Sequence, residues 1–265
     1  MSHSAQDREL FQSETSSEYL NTRININEQN SRIRLPDWLF RKLKISAAEK
    51  ILDVGCGTGY QSLRFLETVG SKGRVCATDI SQESVSQLIK ASKDCPYLET
   101  KVGDMVDLKN MLQNNFSISK FDLAHSSYAL YYANDHIEVL SAMKDSLAEN
   151  GRLAVFGPHS PHGMVEFIRN FCDIPAAVDE SLYFGPNVLE PYFRENFWEV
   201  EIHFFQNELK INSVEDFMSL YRATTYFKEA TLARVASAVE AEINMSGAVR
   251  FAKNGILFLG SEQKG

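Results

Sequence analysis

The stretch ILDVGCGTGY, residues 51–60, joins an apolar run to a turn with glycine at every second position. An apolar run this short, closed by glycines and followed by helix-compatible residues, predicts a buried strand, a tight turn and a helix start. Glycine tolerates positive φ and lets another group come close to the backbone at Gly55, Gly57 and Gly59. The first turn of a helix also leaves N–H groups unpaired and carries partial positive charge, which suits a carboxylate or a phosphate. The spacing is G-x-G-x-G. A P-loop needs G-x-x-x-x-G-K-S/T and the dinucleotide fingerprint needs G-x-G-x-x-G, and neither is met.

Strand-like runs recur at 73–80, 98–104, 121–130 and 152–157, separated by helical patterns at 60–70, 81–94 and 134–151. That alternation predicts parallel βαβ units and a doubly wound, Rossmann-like sheet with helices on both faces. Ligands of such sheets sit at the carboxyl ends of the strands, near the switch in strand order. A further helix, 35–45, precedes the first strand, with Pro36 and Asp37 suited to its start. After Pro158 the rhythm changes. Helices are expected at 163–174 and 187–197, a long strand at 198–211, two helices at 213–227 and 229–245, and a last strand at 254–260. Residues 1–34 read as an N-terminal arm or lid, and 35–265 as one α/β domain with cap elements at about 160–197 and 212–247.

Three acids fall at predicted strand ends. Asp53 lies just before the glycine turn, where it can reach a cationic group. Asp79 closes the next strand, where a carboxylate can accept from both hydroxyls of a ribose. Asp104 closes the third strand and can accept from an exocyclic adenine amine, with the Met105 N–H donating to the ring; Ile80 and Met105 can flank the purine faces. Taken in order, these ends suit an amino acid, a ribose and an adenine.

That order resembles the class I S-adenosylmethionine-dependent methyltransferases. ILDVGCGTG is similar to the family's first motif, with Asp79 and Asp104 at its second and third acidic positions. FDLAHSSYALYY is similar to its fourth-strand segment, and MKDSLAENGRLAVFGP to the helix, turn and fifth strand. The resemblance spans roughly 35–158 and the terminal strand. It implies seven mostly parallel strands with the last one antiparallel, S-adenosyl-L-methionine as cofactor, and transfer of its sulfonium methyl group. It also implies that the inserted helices form a cap over that methyl group.

Displacement at a sulfonium requires alignment and exclusion of water, and a base only where the acceptor enters protonated. Ser126, at the fourth strand's end, is the expected cofactor contact there. Tyr128, Tyr131 and Tyr132 either line the acceptor pocket or pack on the sheet with the hydroxyl at the rim. His159 is the candidate base, with a solvated loop histidine as the bland alternative. In similar small-molecule members a segment before the first strand closes over the cofactor, and Tyr19 and Arg23 in the arm could then reach its carboxylate or the acceptor; a surface helix or disordered arm is the bland alternative. The aromatic content of 163–198 favours a small apolar or aromatic acceptor. HSSY stands where DNA-amino members carry Asp/Asn-Pro-Pro-Tyr/Phe, and the net charge of −8 offers no broad grip on nucleic acid. The four cysteines show no C-x-x-C spacing, so no metal is expected, and they suit a reducing cytoplasm. No apolar run is long enough for a membrane span. A homo-oligomer is compatible with the sequence. The expectation is a small-molecule methyltransferase; the alternative is a non-catalytic S-adenosylmethionine-binding regulatory or scaffold subunit.

Overall fold

Side chains of β1 (Lys50–Val54) alternate between two helical layers, because successive residues of a strand point to opposite faces. Ile51 packs in one cluster with Phe65, Leu39 and Leu43; Leu52 and Val54 pack in another with Leu112, Leu140 and Met143. The neighbouring strands repeat this division, with Val75, Leu123 and Leu257 on the first side and Cys76, Ala124 and Phe258 on the second. Burial on both faces explains why these strands read as unbroken apolar runs.

The computed structural model describes residues 16–264. The remaining strands are β2 (Arg74–Asp79), β3 (Leu98–Val102), β4 (Phe121–Ser127), β5 (Leu147–His162), β6 (Phe197–Phe205), β7 (Glu208–Ile211) and β8 (Val249–Gln263). They form an eight-stranded sheet in the order β3-β2-β1-β4-β5-β8-β6, with β7 also paired to β8. The pairs from β3 through β5 are parallel, and β8 runs antiparallel to β5, β6 and β7. Strand order reverses between β1 and β4, so the carboxyl ends of these two strands open a crevice.

Eleven helices among the described residues surround the sheet: α1 (Ser17–Asn30), α2 (Leu35–Leu43), α3 (Ser62–Val69), α4 (Gln82–Ala91), α5 (Leu108–Asn114), α6 (His136–Asp145), α7 (Gly163–Ile168), α8 (Ala176–Phe184), α9 (Glu190–Asn196), α10 (Val214–Arg222) and α11 (Leu232–Ser246). A third apolar cluster lies above the strand ends and joins Ile26 of α1, Met164 of α7, Leu182 of α8, Phe217 of α10, Val239 of α11 and Phe251 of β8.

Two expectations are corrected. The single strand expected over 198–211 is two, because the chain turns at Asn207. That side chain accepts from Ile33 N–H at 3.0 Å and donates to Ser31 Oγ at 3.0 Å, while its carbonyl accepts from Lys253 N–H. β7 then pairs with the first part of β8, which starts five residues before the expected strand. The helix expected over 134–151 stops at Asp145; Ser146 O accepts from Phe121 N–H, and β5 begins at once.

Candidate functional site

The glycine turn follows β1, and all three glycines hold positive φ: 71° at Gly55, 54° at Gly57 and 88° at Gly59. The nearest neighbours of the missing side chains are protein atoms. A Cβ at Gly55 would lie 2.2 Å from Ala129 Cβ, one at Gly57 2.8 Å from a Leu20 methyl, and one at Gly59 2.3 Å from a Leu88 methyl. Glycine is thus needed here for conformation and for close packing of the turn against α1, α4 and the β4 loop.

A cavity of about 380 Å³ opens at this point. Asp53, Gly55 and Gly57 line it from β1 and its turn, Asp79 and Ile80 from the end of β2, Met105 from the loop after β3, and Tyr128 and Tyr132 from the loop after β4. The structure therefore brings eight of the expected residues to one wall.

Asp79 holds the turn from the side. Its Oδ2 accepts from Gly57 N–H at 2.8 Å and its Oδ1 from Ser81 N–H at 2.9 Å. Burial nevertheless raises its pKa above the ordinary aspartate value. A carboxylate has lone pairs beyond these two bonds, and Asp79 lines the cavity. Asp53 is buried, with Oδ1 2.8 Å from His125 Nδ1 and Oδ2 accepting from Ser62 Oγ. Burial raises the Cys56 thiol well above its usual value, and the Asp53 and Asp79 carboxylates add to this, so Cys56 is held protonated.

Four expected residues lie elsewhere. Ser126 is fully buried in β4 and absent from the cavity wall, while Ser127 lines it, because alternation turns adjacent strand residues apart. Asp104 is exposed and outside the wall, and its carboxylate accepts from Val106 N–H at 3.1 Å as the cap of a short helical turn. Gly59 faces α4 instead of the cavity. His159 lines a separate depression and packs on Phe204 with ring centroids 5.4 Å apart, so it does not reach the main cavity.

Further polar groups line the wall. Gln61 Oε1 and Asn27 Oδ1 are buried acceptors without a partner among the described residues, as are the Tyr128 hydroxyl and His162 Nδ1. Lys253 lines the wall from β8. Gln61 follows the glycine turn by two residues and carried a positional signal, and Tyr128 was already a candidate from its place after the fourth strand; Asn27 and Lys253 had no such signal. Arg23 of the arm does reach the cavity, whereas Tyr19 is exposed and outside its wall. α1 brings Arg23 there because it is tied down along its length. Ser17 and Asn21 bond Glu83 and Gln87 of α4, and Asn21 Oδ1 also accepts from Thr58 Oγ1 at 3.1 Å.

These donors and acceptors fit S-adenosylmethionine. The N–H groups of Thr58, Tyr60 and Gln61 precede α3 and have no partner among the described residues, as a carboxylate requires. The orphaned Gln61 Oε1 can accept from an ammonium, Asp79 from ribose hydroxyls, and the Ile80 and Met105 side chains can flank a purine. Among the described residues no three His, Cys, Asp or Glu side chains converge as metal ligands, and no helix is long and apolar enough to cross a membrane.

Residues 45–198 match the family described as Methyltransferase domain. An uncharacterized protein of Haemophilus influenzae is 30% identical over 143 residues, covering 54% of each chain. The 2-phytyl-1,4-naphtoquinone methyltransferase of Synechococcus elongatus is 28% identical over 168 residues, covering 59% of this chain and 70% of that protein. Across most of the curated relatives it matches, the chain spans about half of their length. A solved Bacillus halodurans protein, at 15% identity, shares the fold with a TM-score of 0.58 over 87% of this chain and 99% of its own. The matched segment covers more than half of the chain, from the first strand through the start of β6, and carries the glycine turn and its acids; the chain belongs to the class I S-adenosylmethionine-dependent methyltransferase family.

Proposed function

We propose that the chain transfers a methyl group from S-adenosylmethionine to a small, largely apolar or aromatic acceptor. The observation that carries this reading is the continuity of the cavity. One part of it holds the glycine turn and Asp79, and the same space extends to Tyr128, Tyr131 and Tyr132 and to an apolar floor of Val178 and Leu182 from α8, Leu209 from β7 and Phe251 from β8. In this reading residues of about 160–197 and 212–247 form the cap, and the arm containing α1 is its third side. Several relatives bear names of quinone methyltransferases, which accords with a small-molecule acceptor.

When bound, S-adenosylmethionine supplies an electrophilic methyl group. The chain's own part is to orient and to exclude water. The N–H groups at the start of α3 and Gln61 fix the amino-acid end, Asp79 fixes the ribose, and Ile80 and Met105 enclose the purine. The Tyr131 and Tyr132 rings meet at a tilt of 54° with centroids 4.4 Å apart, and burial raises the Tyr131 hydroxyl far above its usual pKa. A tyrosine in that state stays protonated and acts as a hydrogen-bond donor to the acceptor, not as its base.

The test is a methyl-labelled S-adenosylmethionine assay with a small-metabolite extract, run beside calorimetry with S-adenosylhomocysteine. Label in the low-mass organic fraction is expected. Tight S-adenosylhomocysteine binding with no label transferred to any metabolite would replace this reading by that of a non-catalytic binding subunit.

A further inference from the structure

Two cations on the cavity wall have no ion-pair partner among the described residues. Arg23 of α1 and Lys253 of β8 both line the cavity, and His162 lines it across the β5–β8 ladder from Lys253. Arg23 is held in place by one donation, from Nη1 to Ala223 O at 2.7 Å, which leaves most of its five N–H groups unused. Three acids line the cavity. Asp53 and Asp79 belong to the glycine-turn end, and Glu28 is engaged with Arg34 at 2.7 Å. Among the described residues no ion pair forms with either Arg23 or Lys253.

Each cation is felt by the next group. Burial, with the Arg23 charge added, lowers Lys253 to about 7; burial, with the Lys253 charge added, lowers His162 to about 4. Two like charges facing one partly desolvated space are unfavourable until a negative charge joins them. Arginine's planar fork matches a carboxylate in geometry, and lysine supplies a point charge beside it. The same cavity has an apolar floor formed by Val178, Leu182, Leu209 and Phe251.

We propose that the acceptor is a small organic acid whose apolar body lies on that floor and whose carboxylate is gripped by Arg23 and Lys253. This rests on the methyltransferase reading and narrows its substrate class. The pair is a specificity device: a neutral compound of the same shape would leave both cations unmatched.

The test compares 2-naphthoate with 2-naphthamide, which differ in charge but hardly in shape, by calorimetry on the full chain with and without saturating S-adenosylhomocysteine. Wild type is expected to bind the acid about tenfold tighter than the amide or better, a difference of about 1.4 kcal/mol. In Lys253→Met and in Arg23→Gln the ratio is expected to fall to about threefold or less, with S-adenosylhomocysteine affinity retained. Equal affinities in wild type, no binding of the acid, or an acid preference that survives in both variants would overturn the proposal. Failure of S-adenosylhomocysteine to bind wild type would strike at the methyl-donor site instead, and the acid–amide comparison without it would still decide the anion site.

Discussion

The Asp79 carboxylate accepts the Gly57 N–H at 2.8 Å, so the acid at the end of β2 holds the backbone of the turn that follows β1. One residue therefore serves two purposes: it fixes the turn and, with lone pairs beyond this bond, lines the cavity. Asp79→Ala removes both. S-adenosylhomocysteine affinity is expected to fall at least about tenfold, and stability by about 1–3 kcal/mol from the buried N–H left unpaired. Unchanged affinity would end the ribose assignment. Because burial raises the Asp79 pKa, cofactor affinity should also decline on acidification at a higher pH than an ordinary aspartate would cause.

Gly57 is constrained twice, by a φ of 54° and by Leu20 of α1. Gly57→Ala places a methyl group 2.8 Å from Leu20 Cδ2 and costs about 1–2 kcal/mol for the left-handed backbone alone. The Leu20 methyl group must also shift to make room. Adding Leu20→Ala relieves the contact but not the backbone strain. The double variant should therefore regain part of the cofactor affinity lost in the single one. A double variant no better than Gly57→Ala would show that α1 is not pressed against the turn as described.

Tyr128 adopts a φ of 56° after β4, packs edge-on against Phe156 with centroids 5.1 Å apart, and buries a hydroxyl that has no partner among the described residues. A buried hydroxyl without a partner costs free energy in the unliganded protein and is explained if a ligand pairs with it. Tyr128→Phe is expected to leave stability unchanged or raise it by about 1 kcal/mol, while kcat falls about tenfold or more. Wild-type turnover in this variant would return Tyr128 to a packing role.

The central sheet was legible because its information is local. Apolar runs, glycine stops and helix periods each sit within about ten residues, and β1 to β4 were placed within a few residues of where they lie, whereas β5 extends five residues beyond its expected bounds at each end. Asp79 was legible for the same reason, since it closes β2; Asp104 was not, because it lies beyond the end of β3 and caps the next turn outside the cavity wall. What escaped depended on distance in sequence. Ser127 and not Ser126 lines the cavity because strand phase decides facing, and one residue reverses it. Lys253 was unreadable because its strand begins at Val249, in a polar stretch whose pairing partner, β7, is specified forty residues earlier by the turn at Asn207. α1 has little amphipathic pattern, and its order comes from side-chain bonds to α4 and the glycine turn.

Lys253 gives the protein a distinct response to pH. Burial and the Arg23 charge lower its pKa from 10.5 to about 7. Between these values the unfolded chain holds a proton that the folded chain has released, so stability rises with pH across that window. The groups near it do not interfere between about pH 7 and 9. His162 titrates lower at about 4, and the cavity tyrosines Tyr131 and Tyr226 are raised by burial and stay neutral. Urea denaturation of wild type is therefore expected to give an unfolding free energy that climbs over this range. Lys253→Met lacks the titrating group and should lose the climb while gaining stability at the lower end, where the wild-type ammonium is most nearly charged. Parallel profiles for the two proteins would mean that Lys253 is solvated in the folded chain, and the cation pair facing the acceptor would then be without its tension.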